Sequence, residues 1–171
     1  MPERGRLTFV LGGARSGKSS HAEARVTALP APWTYIATAQ AFDDEMAERI
    51  ALHRARREAG WETVDAPLDL AGALEAVTDG RPVLVDCLTL WLSNHMLADH
   101  DVEGESRRLA DLLARPRGPW FVVSNEVGLG IVPDNALARR FRDAAGRLNQ
   151  KVAAVADDVL FMAAGLPMRV K

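Results

Sequence analysis

Cysteine is almost missing from this chain of 171 residues, and the one present, Cys87, excludes an internal disulfide. No CxxC pair and no paired-histidine spacing proposes a zinc site either. Charge of one sign is lacking as well: 21 basic residues face 23 acidic ones, a formal net charge of −2, so no whole-protein field draws in nucleic acid or an anionic membrane. An anionic ligand must therefore be met by local clusters. No apolar run approaches the roughly 18 residues of a membrane span, and Met1–Arg6 opens no signal sequence. The expectation is a soluble cytoplasmic protein with neither a membrane span nor a nucleic-acid partner. Repeats and low-complexity linkers are absent too, and the stretch from Leu113 to Pro119 reads as a loop between elements. With 48% hydrophobic residues the chain can bury a full core, and one catalytic domain over residues 1–171 is expected.

What is present begins with an octapeptide: Gly12, Gly13, Ala14, Arg15, Ser16, Gly17, Lys18 and Ser19 match GxxxxGK[ST]. The strand-like Leu7–Leu11 precedes it and a helical pattern follows, which is the context a phosphate-binding loop needs. Glycines let the backbone turn tightly and aim successive N–H groups at phosphate oxygens, while the helix adds its positive N-terminal end. Lys18 would reach the β- and γ-phosphates, and the Ser19 hydroxyl would bind Mg²⁺. The alternative is a glycine-rich turn with an accidental lysine. Four such fixed positions match by chance in roughly 1% of chains this short.

Short apolar runs at 7–11, 33–37, 83–86, 120–124 and 158–163, with a last one at 168–170, alternate with helical patterns. That alternation predicts an α/β fold with a mainly parallel sheet covered by helices on both faces. Helices are expected at 18–28, 43–59, 69–78 and 103–114 and after Pro133, where Leu137, Phe141, Ala144, Leu148, Val152 and Val155 recur at helical steps and Asp134 is the candidate N-cap. Residues 88–98 are ambiguous. Ligands of such sheets bind at the carboxyl ends of the strands.

Three segments carry candidate chemistry. Val83–Asp86 is an apolar strand ending in a carboxylate, as a Walker B metal position requires, or as a helix cap would also give. Cys87 beside it reads as a small buried apolar residue. In the segment from Asp43 to Arg57, Arg49, His53 and Arg57 recur every four residues along one helical face, near Phe42, Met46 and Ile50. His53 is then either a core-edge histidine between solvated arginines or a nucleophile whose flanking guanidinium groups oppose further positive charge and hold phosphates. The third segment, Ser124–Asn135, is a shaped loop in which Asn125 and Glu126 either contact substrate or brace the loop.

Together these segments, notably RIALHRARR and NEVGLGIVP with the helix after it, resemble the bifunctional adenosylcobinamide kinase / adenosylcobinamide-phosphate guanylyltransferase family along essentially the whole chain. The resemblance implies a P-loop NTPase fold and two steps in the nucleotide-loop assembly of cobalamin. The first is phosphorylation of adenosylcobinamide by ATP or GTP; the second is transfer of GMP from GTP to that phosphate through a guanylylated histidine. It implies His53 as that histidine and Gly12 to Ser19 as the triphosphate loop. It also implies Thr38, Ala39, Gln40, Arg54, Ala55, Arg56, Arg57, Asp65 and Asp86 as further nucleotide-binding positions. Mg²⁺ on Ser19 and Asp86, a corrinoid substrate and a homo-oligomer, with the homotrimer as the family's form, complete what it implies. The family pattern has glutamate where Asp65 and Asp86 stand, so their reach is one methylene shorter. Two other readings remain open here: a simple P-loop kinase of another small alcohol, and a nucleotide-dependent switch, which no NKxD signal supports.

Overall fold

The computed structural model describes residues 4–57 and 59–171; the expectations for Met1–Glu3 and for a helix running through Glu58 lie outside it. The strands are β1 (Leu7–Gly12), β2 (Trp33–Ala37), β3 (Trp61–Asp65), β4 (Val83–Asp86), β5 (Trp120–Asn125), β6 (Asp158–Ala163) and β7 (Leu166–Arg169). They form one sheet in the order β3-β2-β4-β5-β1-β6-β7, parallel throughout except for β7, which returns antiparallel along β6. The helices are α1 (Lys18–Thr27), α2 (Asp44–Ala55), α3 (Leu70–Glu75), α4 (Leu88–Leu97), α5 (Val102–Leu113) and α6 (Ala136–Val155).

The central strands carry apolar residues on both faces because both faces are covered. On one side, Phe9, Ile36, Val85 and Val122 pack against Leu74 of α3, Leu92 of α4, Leu109 of α5 and Leu148 of α6. On the other, Val10, Tyr35, Leu84 and Val123 pack against Ala22 and Val26 of α1. Full burial of such side chains contributes about 1.5–3 kcal/mol each, so the two layers supply most of what holds the sheet.

Three expectations need correction, and one open segment takes a definite form. β3 was not expected at all: as an edge strand it exposes Glu62, Thr63 and Asp65 and only half-buries Trp61 and Val64, so it has no apolar run to betray it. The ambiguous segment is helix α4, which shows no single apolar stripe because polar Asn94 and His95 are buried along with Leu88, Trp91 and Leu92. The helix cap before α6 is Asn135, whose side chain accepts from the Ala138 N–H at 2.7 Å, and not Asp134. Helix α2 ends at Ala55, well short of residue 59, because the chain must turn at Gly60 (φ +113°) to enter β3.

The residue before β1, the start of β6 and the end of β7 are tied by charge. Asp158, 13% exposed, accepts from Arg6 Nε at 2.6 Å and Nη2 at 2.9 Å, and from Arg169 at 3.2 Å. The Arg6 hydrogen bond holds the Asp158 carboxyl below its ordinary range. A lowered folded value stabilises above the ordinary aspartate range, and that contribution is lost as pH falls through the folded value. Both arginines are largely exposed, which limits the effect. Asp158→Asn is expected to cost up to about 1 kcal/mol in urea unfolding at about pH 7, and the deficit should shrink toward about pH 3.

Candidate active site

The octapeptide leaves β1 and opens α1 as expected. Arg15 (φ +54°) and Gly17 (φ +89°) adopt left-handed backbone, the kind of turn in which successive N–H groups form an anion-binding nest. Gly12 is required by space: a Cβ there would lie 2.4 Å from Ser16 Oγ and 3.1 Å from Met162. The turn between β6 and β7 closes the loop from beneath. Gly165 N–H donates to Ser16 O at 2.8 Å, and its Cα lies 3.1 Å from where a Cβ of Gly17 would be. Lys18 is 8% exposed, and its ammonium donates to Gly13 O at 2.9 Å, folded back across the cradle. Ser16 Oγ is buried with no hydrogen-bond partner among the described residues. A cradle with a buried cation and an unpartnered hydroxyl suits a polyanion.

A second assembly lies at the ends of β2, β3 and β4. A cavity of about 210 Å³ is lined by Tyr35, Arg49, His53, Arg57, Asp65 and Asp86, with Ala37, Ala39, Met46, Ile50 and Leu90 as its apolar wall. The expected residues His53, Arg57, Asp65 and Asp86 therefore meet. Asp86 accepts the Tyr35 phenol at Oδ2, 2.6 Å away. Burial first, and Asp86 second, push the Tyr35 hydroxyl well above its ordinary range, so it is a fixed donor. Arg57 stacks on the Tyr35 ring, its guanidinium carbon 3.5 Å from the centroid, and donates to Thr63 Oγ1 at 2.6 Å. Arg54 pairs with Asp65. These contacts hold α2 over the sheet edge, for none of its side chains is buried and His53 stands exposed on it.

Other expected positions are placed differently. Thr38 is fully buried; its hydroxyl donates to Cys87 O at 2.6 Å and accepts from Cys87 N–H at 3.0 Å, joining two strand ends. Gln40 is half-buried in the loop after β2, while Ala55 and Arg56 are exposed at the end of α2, outside the cavity lining. Cys87 is buried, and its thiol is pushed up by burial and by Asp86, in keeping with a packing role. Glu126 braces its own loop by accepting from Gly128 N–H at 2.7 Å, and its N–H donates to Gly12 O at 2.9 Å. Two neighbouring side chains carry no motif signature. Tyr35 lies in β2, two residues before its end. Glu23 lies one turn beyond Ser19 and is half-buried, its carboxyl pushed up by burial and then by Asp86.

The donor set also fits Mg²⁺. Ser19 offers a hydroxyl and Asp86 keeps Oδ1 free of hydrogen bonds among the described residues, both hard oxygen donors. No group of three or more metal-ligating side chains occurs among the described residues, and a cation held by two side chains and the substrate's phosphates needs none.

The family model for cobinamide kinase / cobinamide phosphate guanyltransferase matches residues 8–170. The chain belongs to this family. Within it, the bifunctional adenosylcobalamin biosynthesis protein CobP of Pseudomonas aeruginosa is 50% identical over 166 residues, covering 95% of this chain and 96% of that one. The corresponding CobU of Salmonella typhimurium is 38% identical, covering 96% and 99%. Solved structures similar to this family member in fold alone include a Pyrococcus horikoshii OT3 protein (TM-score 0.58, 11% identity, 98% of this chain and 87% of that one). An ATPase from a type III secretion system matches with TM-score 0.52 at 12% identity, over 92% of this chain and 51% of that one. The expected P-loop NTPase fold with helices on both faces of a mainly parallel sheet is thus the fold observed. Among the described residues no helix is long and apolar enough to cross a membrane.

Loss of the Tyr35 hydroxyl isolates the Asp86 contact from the rest of the site. Tyr35→Phe should lower stability by about 1–2 kcal/mol, since the bond is to a charged group that pocket water can partly replace. A thermal melt should then shift down by roughly 2–8 °C, with the native circular dichroism kept; an unchanged midpoint would contradict the contact.

Proposed function

We propose that this single domain carries out both reactions named for its family, as a cytoplasmic, homo-oligomeric enzyme with the homotrimer as its assembly. It phosphorylates the hydroxyl of adenosylcobinamide with GTP or ATP, then transfers GMP from GTP to the resulting phosphate. The observation that carries this reading is the cavity in which His53, Arg49 and Arg57 face Asp86, at the strand ends beside the helix that the phosphate loop opens.

The loop's N–H groups, Lys18 and the start of α1 hold the β- and γ-phosphates. Ser19 and Asp86 would hold Mg²⁺, which when bound would offset phosphate charge. For guanylyl transfer an imidazole nitrogen of His53 bonds to the α-phosphorus, the bond to the β-phosphate oxygen breaks, and pyrophosphate leaves. An oxygen of the corrinoid phosphate then displaces the imidazole and takes the GMP. Arg49, Arg54 and Arg57 neutralise charge that develops on the α-phosphate. Arg57 is already oriented by Tyr35 and Thr63, so little side-chain freedom is lost when it engages.

Thr38 serves this site from behind, by tying β2 to the peptide after Asp86. Ala39 and Gln40 then carry the contacts expected of that loop, while Ala55 and Arg56 offer backbone and charge at the rim. Exposed Phe42, Leu129, Ile131 and Leu166 support burial between copies.

Incubation with GTP and Mg²⁺ followed by intact-mass measurement should show an acid-labile GMP adduct in the wild type and none in His53→Ala. An adduct that persists without His53 would remove the covalent step, and γ-phosphate transfer with no adduct at all would leave a simple kinase.

A further inference from the structure

Glu23 has no part in either reaction as described above, yet its position faces both. It follows Ser19 by four residues, so the two side chains share one face of α1, about 6 Å apart along the helix axis. Helix α1 packs on β4 and β5. Leu84, two residues before Asp86 on β4, pairs with Tyr35 on the layer that α1 covers, so Asp86 points to the same side, beneath that helix. Glu23 accordingly shares its surroundings with Asp86, whose charge pushes its carboxyl up, and with Arg57 and His53, whose charges pull it down. It is half-buried, and among the described residues its carboxylate accepts no hydrogen bond and forms no ion pair.

The neighbouring groups are committed elsewhere. Asp65 is paired with Arg54, and Asp86 accepts from Tyr35 and is the candidate metal ligand. His53 is the candidate nucleophile of the second reaction, and Lys18, Arg49 and Arg57 are cations. One carboxylate beside the phosphate loop is left with both oxygens available.

The two reactions differ in what attacks. A hydroxyl must lose its proton to become a phosphate ester, whereas an unprotonated imidazole and a phosphate dianion bring a free electron pair. A base is therefore needed in the first reaction only. We propose that Glu23 is the catalytic base of the phosphorylation step, which rests on the kinase half of the function proposed above. The substrate oxygen bonds to the γ-phosphorus, its proton passes to a Glu23 oxygen, and the β–γ bridging bond breaks with its electron pair left on the nucleoside diphosphate. The proton then returns to solvent.

The test compares both half-reactions in wild type, Glu23→Gln and Glu23→Asp, using GTP and Mg²⁺ with either cobinamide or cobinamide phosphate. Glu23→Gln should lose about 10²–10³-fold in kcat for phosphorylation, with KM for GTP within about twofold. GMP transfer to cobinamide phosphate should stay within about threefold, and Glu23→Asp should recover part of the lost rate. A phosphorylation rate within about tenfold of wild type in Glu23→Gln overturns the assignment. Equal losses in both reactions, or restoration by raised Mg²⁺, overturn it in favour of a structural or metal-holding role. A wild-type protein that forms the GMP adduct but phosphorylates no cobinamide overturns the kinase reading itself, and the base with it.

Discussion

Parallel pairing is the constraint on which everything chemical in this molecule depends. Because β1, β2, β4 and β5 all run the same way, their carboxyl ends arrive at one edge, and the register decides what meets there. Gly12 stands opposite Asn125, Ala37 opposite Asp86, and Asp86 opposite Val123. The phosphate loop, the Thr38–Gln40 turn, the carboxylate and the Ser124–Asn135 loop thereby open side by side. A slip of one residue between β2 and β4 would turn Tyr35 and Asp86 to opposite faces and dissolve their hydrogen bond.

On that rigid edge sits a helix of a different kind. No side chain of α2 is buried, and its end is held by an ion pair, a hydrogen bond and a cation–π contact through Arg54 and Arg57. Polar contacts of this sort are individually weak but directional, and so they orient the helix that carries His53 more than they stabilise the fold. The division suits the function proposed above: the loop backbone would hold the phosphates, while His53, the proposed attacking group, is carried on an element with fewer buried contacts.

Much of this was readable from the residues. Glycine and lysine spacing announced the loop because only those residue types solve its backbone and charge problem, and the apolar runs announced the strands that are buried on both sides. The four-residue spacing of Arg49 and His53 likewise put them on one face of α2, and Arg57, past the end of that helix, still lines the same cavity. Legibility failed where burial is partial or distant in sequence. β3 is an edge with a single covered flank, so WETVD carries no periodic signature. Asn135 and Asp134 are both good caps, and only the backbone at Asn135 decides between them. Tyr35 and Glu23 matter through neighbours some 50 and 60 positions away, which no local pattern encodes. Thr38 is the converse case, a motif position whose hydroxyl is occupied in joining β2 to the peptide after Asp86.

The support that Gly165 gives to Ser16 and Gly17 joins residues about 150 positions apart. During synthesis the loop leaves the ribosome early, with the glycines and lysine that define it, but its floor arrives only with the hairpin between β6 and β7. Until then the backbone of the loop lacks the contact that closes it from beneath. Nucleotide affinity in this protein is for that reason a property of almost the entire chain, and a partial chain bearing every residue of the motif would still hold an unfinished cradle.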